Sequence, residues 1–347
     1  MYKNCSSRLI IFLAVFHSYI LFLFLIEYTF RLLKLKGHTM RIAIIGQSAF
    51  GEAVLKALVR EDENIVGVFC PPDKENRPQD PIKASAESNG IPVFQFSRMR
   101  DSQCIDIFKA LSADLCIMAY VIDIVPDEIL TSPKKGTIQY HPSLLPKHRG
   151  PSAINWSIIN GDKTTGFTIF WPDGGLDTGP ILYQKKVDIG PEDTTGSLYF
   201  NSLFPQGVNA LIDAAVMVRK GTAPRIEQDH PQATYEGWCK SKDVVINWNE
   251  SINVIHNLIR GSDPSPGAKT YFNGAELSLY KSSRVSCASL TEAGEVIQIT
   301  EEGILISCNG GAIRIQKIKP LGKNKSTAAE WSKILRIEPG SRFKDIK

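Results

Sequence analysis

Apolar positions between residues 40 and 141 occur in short runs separated by stretches with helical spacing. The runs predict five buried strands, at residues 41–46, 64–70, 91–96, 114–120 and 136–141. The stretches between them predict three helices, at residues 50–60, 81–90 and 104–113. Strands and helices that alternate in this way are typical of βαβ units. We therefore expect an α/β fold with a Rossmann-like, doubly wound and mostly parallel sheet.

The pattern continues beyond residue 141 and changes near residue 221. A helix, two strands and a long helix are predicted at residues 152–161, 165–171, 181–189 and 194–220. Residues 221–245 are polar and rich in turn formers, which favours a linker. Beyond them the pattern predicts a helix, five short strands and a closing helix, at residues 251–260, 269–273, 276–285, 295–300, 303–308, 311–318 and 326–335. We therefore expect a larger domain over residues 40–220 and a smaller, OB-like β-barrel over residues 246–347.

Residues 1–39 form a hydrophobic extension ahead of the first predicted strand. The run at residues 9–26, LIIFLAVFHSYILFLFLI, has 18 residues without Asp, Glu, Lys or Arg, which is long enough to span a bilayer. Basic residues flank the run on both sides and leave its orientation open. Because Met40 opens the first strand, the extension can equally come from a start site placed too far upstream. Both interpretations stay open, and we expect a cytoplasmic protein that is anchored to a membrane if residues 1–39 belong to it.

Length and composition narrow the class of protein. A chain of 347 residues exceeds the size of most single cores, which favours two domains. The net charge of +4 is too small to indicate a dedicated nucleic-acid surface. The seven cysteines are scattered and include no CxxC pair, so we expect neither a disulfide framework nor a metal site. Nothing in the sequence indicates an oligomeric state.

The turn after the first strand, GQSAFG at residues 46–51, differs from a dinucleotide-binding fingerprint. That fingerprint needs a second glycine where Ser48 stands, so that backbone can approach a pyrophosphate. The second strand ends in Phe69 and Cys70 and not in an acidic residue that could hold a ribose. We therefore expect no NAD(P) site in this chain, and a structural role for the glycines of the turn.

Two polar residues stand out at predicted strand ends. His141 follows the fifth strand in QYHPSLLPKHRG, where Pro142 and Pro146 stiffen the loop. Asp177 lies in the glycine-rich turn DGGLDTG at residues 173–179. Alone, such a histidine is more often structural and such an aspartate is more often a turn former. Because ligands of open α/β sheets bind at the carboxyl ends of strands, we expect both side chains to leave the same edge and to converge.

These motifs support a resemblance to a known family. HPSLLPKHRG together with DGGLDTG resembles the folate-dependent formyltransferases, and the resemblance covers residues 40 to about 320. Residues 148–171, 233–238 and 246–268 are most similar to the amino-terminal hydrolase module of 10-formyltetrahydrofolate dehydrogenase. Residues 322–343 are more similar to the closing segment of methionyl-tRNA formyltransferases.

The resemblance implies a reaction and its residues. The formyl donor would be 10-formyltetrahydrofolate, and no metal is required. His141 and Asp177 match the family's catalytic histidine and aspartate, and Gln139 stands where most members have an asparagine. The pterin ring would lie against Asp123, Ile124 and Val125, with Asp177 also at the folate site. Protonated His141 would stabilise the oxyanion and protonate the leaving nitrogen, while Asp177 would favour the imidazolium and orient or deprotonate a water.

The formyl acceptor stays open among three hypotheses. Transfer to water would make the chain a 10-formyltetrahydrofolate hydrolase. Transfer to methionyl-tRNA would need a basic surface, yet residues 70–81 are charge-balanced. A membrane-anchored folate-binding protein without turnover is the third. We expect Lys147, His148 and Arg149 to be solvated loop charges, with contact to the folate's glutamate tail as the alternative.

Overall fold

A seven-stranded mixed sheet organises the first half of the protein. The computed structural model describes residues 40–286 and 291–344. Its first seven strands are β1 Arg41–Gly46, β2 Asn64–Cys70, β3 Val93–Gln95, β4 Leu115–Ala119, β5 Thr137–His141, β6 Thr164–Phe170 and β7 Ile181–Asp188. They pair in the order β3-β2-β1-β4-β5-β6-β7. The first five strands of this order are mutually parallel, whereas β6 and β7 are antiparallel to their neighbours. The Rossmann-like sheet predicted from the sequence is confirmed.

Helices cover both faces of this sheet. They are α1 Ser48–Arg60, α2 Pro81–Ser88, α3 Ser102–Ala110, α4 Asp127–Leu130, α5 Ala153–Ile159, α6 Thr195–Leu198 and α7 Phe204–Lys220. One apolar core lies between the sheet and helices α1 and α7, and another lies between the sheet and α3. Burial on both faces explains why the parallel strands are almost continuously apolar.

The helix predicted at residues 194–220 is interrupted. A π-helical turn, Tyr199–Leu203, separates α6 from α7. Pro205 lies in the first turn of α7 and has no N–H to donate, so a regular α-helical ladder cannot pass through it.

A second, antiparallel sheet occupies the carboxyl-terminal part. Its strands are β8 Ala268–Phe272, β9 Ala275–Val285, β10 Val296–Thr300, β11 Gly303–Cys308, β12 Gly311–Pro320 and β13 Ser326–Thr327. The main order is β10-β11-β12-β9-β8. Residues 341–344 bond to both outer strands, through Tyr271 on β8 and Val296 on β10. This segment closes the sheet in the manner expected of a small barrel.

Helices α8 Ile252–Gly261 and α9 Ala328–Leu335 accompany this second sheet. Helix α8 also contacts the part of the chain that contains the seven-stranded sheet. The Asn155 side chain donates to the Gly261 carbonyl at 2.8 Å, and the Arg260 side chain donates to the Asp193 carbonyl at 2.9 Å. His256 is buried there, between the Ser282 hydroxyl and the Pro191 carbonyl. Burial lowers the pKa of His256, which fits the structural role expected for it.

The apolar run at residues 9–26 lies outside the described residues. Among residues 40–286 and 291–344, none of the helices has the length and apolar character that a bilayer crossing requires.

Candidate functional site

The predicted convergence of His141 and Asp177 is observed. The imidazole Nδ1 of His141 lies 3.6 Å from the Asp177 Oδ2. Both residues are buried, with 5% and 8% of their surface exposed. The separation is too long for an ordinary hydrogen bond but close enough for electrostatic attraction between a protonated imidazole and the carboxylate.

Asp177 reaches His141 by a different route from the expected one. Strand β6 runs antiparallel to β5, with Thr168 opposite His141 and Phe170 opposite Gln139. The β6–β7 loop therefore starts beside the amino-terminal part of β5 and returns along the sheet. The expectation that both residues leave the same edge was wrong for this reason, although their side chains meet.

The position of Asp177 is fixed by backbone contacts. Its φ of +55° is in the left-handed region, which asparagine and aspartate tolerate better than most residues. Its Oδ2 accepts a hydrogen bond from the Gly150 N–H at 2.8 Å. The Gln228 side chain donates to the Asp177 carbonyl at 2.9 Å and to the Gly179 carbonyl at 2.7 Å. No other described side chain or backbone group bonds to the Asp177 carboxylate, so its Oδ1 can accept from a ligand or a water.

The tautomer of His141 follows from its second nitrogen. Nε2 lies 2.8 Å from the His148 carbonyl oxygen, which can only accept. Nε2 therefore carries a hydrogen and donates it. Nδ1 is the ring atom left to face Asp177, and it is the nitrogen that can exchange a proton with a substrate.

Gln139 lies on the same face of β5 as His141, because side chains two residues apart in a strand project together. The intervening Tyr140 projects to the other face and packs against Phe50 at a ring separation of 4.5 Å. Gln139 is half-buried, and its amide has no hydrogen-bond partner among the described residues. It is therefore free to bind a ligand beside His141.

The segment after β4, predicted to contact a pterin, borders the same space. The carboxylate of Asp127, the first residue of α4 just after this segment, lies 3.7 Å from the position that a Cβ on Gly174 would take in the Asp177 loop. Ile124 is 80% exposed, whereas the Val125 side chain is buried in the core on the α3 side. The Asp123 carboxylate accepts from the Met99 N–H at 2.7 Å. The Asp123 and Val125 side chains thus hold the segment in place, whereas Ile124 is exposed to solvent.

Two expected loop charges are not solvated. Lys147 is exposed as expected, but His148 and Arg149 are 7% and 2% exposed. Residues 226–239, distant in sequence, cover them. The Thr234 hydroxyl and carbonyl accept from the N–H groups of His148 and Arg149, at 2.7 and 2.9 Å.

The Arg149 side chain is held entirely by neutral groups of that covering segment. Its guanidinium donates to the Gln228 Oε1 at 2.7 Å, to the His230 Nδ1 at 3.0 Å and to the Tyr235 hydroxyl. Gln228 thereby connects Arg149 to the backbone of Asp177. Sequence reasoning missed Gln228, Thr234 and Glu236. The family resemblance at residues 233–238 was a signal for Thr234 and Glu236 but does not include Gln228.

Burial perturbs two further ionisable groups, Cys239 in the covering segment and Tyr199 in the π-helical turn. Burial, with a smaller contribution from Asp243, raises the pKa of the Cys239 thiol to about 11. Burial, with a smaller contribution from Tyr120, raises the pKa of the Tyr199 phenol to about 12. Both groups stay neutral near pH 7, so neither is an anionic nucleophile there.

The amino end of α1 is occupied by the chain's own carboxylate. The Ser48 N–H donates to both carboxylate oxygens of Asp80, at 2.8 and 3.0 Å. A Rossmann dinucleotide would place its pyrophosphate at this end of α1. Here the Asp80 carboxylate accepts the hydrogen bonds instead, and the same residue is the N-cap of α2. Within the described part of the chain, no group of three or more His, Cys, Asp and Glu side chains could hold a metal ion.

Comparison with known proteins identifies the family. The formyl transferase family model matches residues 40–215, and the model of its C-terminal domain matches residues 239–336. The chain belongs to the formyl transferase family. The resemblance predicted from HPSLLPKHRG and DGGLDTG is thereby confirmed.

Individual relatives refine this assignment. The cytosolic 10-formyltetrahydrofolate dehydrogenase of Mus musculus is 44% identical over 265 residues, which are 75% of this chain and 29% of that protein. The methionyl-tRNA formyltransferase of Geobacter sulfurreducens is 34% identical over 310 residues, which are 88% of this chain and 96% of that protein. The chain thus spans about three tenths of the length of the dehydrogenases it matches.

The fold is also that of a solved structure. The crystal structure of HypX from Aquifex aeolicus in complex with tetrahydrofolic acid superposes with a TM-score of 0.64 at 16% identity. The match covers 89% of this chain and 51% of HypX.

We predict that Gly150→Ala damages the site and the stability together. Gly150 has a φ of +109°, and a Cβ there would overlap the Glu236 carbonyl oxygen. Displacement of residues 226–239 should cost about 2–4 kcal/mol of unfolding free energy and, by moving the N–H that holds Asp177, about a hundredfold in turnover. Chemical denaturation and a rate assay measure both effects. Gly237→Ala, where a Cβ meets open space, is the control and should be neutral; equal behaviour of the two variants would contradict the prediction.

Proposed function

We propose that the protein transfers the formyl group of 10-formyltetrahydrofolate to water, giving formate and tetrahydrofolate. The observation that carries the proposal is the buried pair of His141 Nδ1 and Asp177 Oδ2, 3.6 Å apart, with the other imidazole nitrogen committed to a carbonyl. An acid–base group and a carboxylate in this arrangement can act on one carbonyl carbon. The similarity to the first part of 10-formyltetrahydrofolate dehydrogenases supports water as the acceptor.

The folate would bind along the segment after β4. The pterin ring would lie against the backbone of Asp123, Ile124 and Val125, and the formyl group would extend toward His141. The half-buried amide of Gln139 would then donate to the formyl oxygen from the same face of β5. No metal enters this mechanism, because protonated His141 supplies the positive charge.

The chemistry follows from the ring nitrogens of His141. Asp177 accepts a hydrogen bond from the attacking water and takes its proton as the oxygen bonds to the formyl carbon. The oxyanion that forms accepts hydrogen bonds from protonated Nδ1 of His141 and from Gln139. Nδ1 then gives its proton to N10 of the folate as the bond between carbon and N10 breaks. Formic acid and tetrahydrofolate leave, and the proton on Asp177 passes to Nδ1 of His141, directly or through water, which restores the carboxylate and the imidazolium.

Methionyl-tRNA is the second candidate acceptor. The methionyl-tRNA formyltransferase relative aligns over nearly its whole length, including the carboxyl-terminal part. Lys319, Lys323 and Lys325 are exposed around the turn between β12 and β13, where they could contact phosphates. Basic side chains on one turn are a weaker indication than the site geometry.

One assay separates these functions. The purified chain is incubated with 10-formyltetrahydrofolate, with and without methionyl-tRNA, and formate, tetrahydrofolate and formylated tRNA are quantified. Formate that appears without tRNA supports hydrolysis. Substrate loss that requires tRNA overturns it in favour of the transferase. Tetrahydrofolate binding without any turnover overturns both and leaves a folate-binding protein.

A further inference from the structure

A second histidine lies directly behind the catalytic one. His148 is 7% exposed, and its imidazole lies between two carboxylates. Nδ1 is 3.1 Å from the Glu236 Oε1, and Nε2 is 2.7 Å from the Asp162 Oδ2. A neutral imidazole carries one N–H, so only the protonated form donates to both carboxylates. We name these three residues the His148 cluster.

The backbone of His148 is also unusual. Its φ of +54° is in the left-handed region, which is unfavourable for a residue with a Cβ. The surroundings hold it there: its N–H donates to the Thr234 hydroxyl at 2.7 Å, and its ring is bound at both nitrogens. Backbone strain of this kind persists only where neighbouring contacts over-determine it.

This strained backbone contacts the reacting group. The His148 carbonyl accepts the hydrogen bond from Nε2 of His141 at 2.8 Å. That contact decides which nitrogen of His141 is free for the substrate. A rotated carbonyl would release Nε2 and allow the other tautomer, in which the hydrogen lies on Nδ1. Delivery of the Nδ1 proton to the substrate leaves the Nε2–H tautomer, so loss of the acceptor for Nε2–H would make that proton transfer less favourable.

The two carboxylates differ in their surroundings. Glu236 comes from the segment over the site, its side chain is 17% exposed, and its Oε2 is buried without a hydrogen-bond partner in the described part of the chain. Asp162 follows α5, and its side chain is 39% exposed. Glu236 is therefore the more desolvated partner, and its charge is balanced chiefly by His148. Arg149, the next residue, directs its guanidinium to Gln228 and His230 instead.

We propose that His148, held as an imidazolium by Glu236 and Asp162, is a positioning residue that fixes the tautomer of His141 through its backbone carbonyl. This inference rests on the proposed function only where it predicts a change in turnover. The tautomer of His141 is a property of the free protein and can be measured without substrate.

The test uses the full chain with ¹⁵N-labelled histidine rings. Glu236→Gln keeps the shape and one acceptor but removes the charge, and His148→Phe keeps the ring shape but removes both donors. We expect NMR of the unmodified chain to show neutral His141 only as the Nε2–H tautomer, and both variants to show a mixture. Turnover should fall by about a hundredfold in each, with KM for 10-formyltetrahydrofolate changed less than about threefold.

Two further variants make the result decisive. Glu227→Gln removes an exposed carboxylate from the same segment and should leave tautomer and rate unchanged. His148→Asn tolerates the left-handed backbone but cannot bridge the carboxylates, so it should behave like His148→Phe. A single His141 tautomer in both Glu236→Gln and His148→Phe overturns the proposal, and so does full activity of His148→Asn. Absence of turnover in the unmodified chain would overturn the proposed function while leaving the tautomer measurement valid.

Discussion

Replacing His141 with alanine should lower the rate of formate release by about three to four powers of ten and leave tetrahydrofolate binding within a few-fold. In the proposed mechanism the imidazole supplies both the donor to the oxyanion and the proton for the leaving nitrogen, so its loss would remove two contributions at once. The folate's ring would contact the segment after β4, which the substitution does not touch. Stopped-time formate assays give the rate, and isothermal titration with tetrahydrofolate gives the affinity.

The lower rate of His141→Ala has to be distinguished from a loss of folded protein. Removing the ring deletes the hydrogen bond to the His148 carbonyl, so a modest fall in thermal stability is expected alongside the kinetic effect. Lys135→Ala is the matched control, because Lys135 is exposed on the turn that leads into the same strand. Turnover of His141→Ala within tenfold of the control would remove His141 from the mechanism.

The sheet was predictable because its determinants are local. Each parallel strand is an apolar run with a turn residue after it, and the predicted run at residues 64–70 coincides with β2. The direction of β6 was not predictable in the same way, since an apolar run of residues is compatible with both parallel and antiparallel pairing. His141 and Asp177 were found because they stand in distinctive loops, although the route of the Asp177 loop was not foreseen.

The burial of His148 and Arg149 could not be inferred from neighbouring residues. In sequence they stand in a proline- and glycine-containing loop, where charged side chains are usually solvated. What buries them is a segment about 80 residues away, which bonds to the loop backbone through Thr234 and to the side chains through Glu236 and Gln228. Such contacts depend on how the chain returns after α7, and that path has no local signature. The same segment, expected to be a linker, is thus part of the site.

The identity of the acceptor depends on space and charge around Nδ1 of His141. Water needs a carboxylate oxygen with a free lone pair, which the Asp177 Oδ1 provides. A tRNA-borne amine needs an open approach and phosphate contacts outside the pocket. The proposed pair of His141 and Asp177 would serve either acceptor, because the attacking atom must lose a proton and the folate nitrogen must gain one. The residues that choose between them therefore lie outside the pair itself.

Asp177→Asn should reduce turnover by about two to three powers of ten with little loss of stability. Asparagine tolerates the φ of +55° and its amide oxygen can still accept from the Gly150 N–H, so the loop keeps its conformation. What disappears is the negative charge that attracts protonated His141 and accepts the proton of the water.

Asp177→Ala separates the two contributions of this side chain. Alanine also removes the acceptor for the Gly150 N–H and disfavours the left-handed backbone, so it should unfold at lower temperature than Asp177→Asn while turning over no faster. If His141 and Asp177 act on the same carbon, as proposed, the double variant of Asp177→Ala with His141→Ala should be no slower than His141→Ala alone, within about threefold. Formate assays on these four variants, beside Asp106→Asn as an exposed carboxylate control on α3, provide the comparison. Fully additive losses would mean that the two side chains act in separate steps, and the joint mechanism would then be wrong.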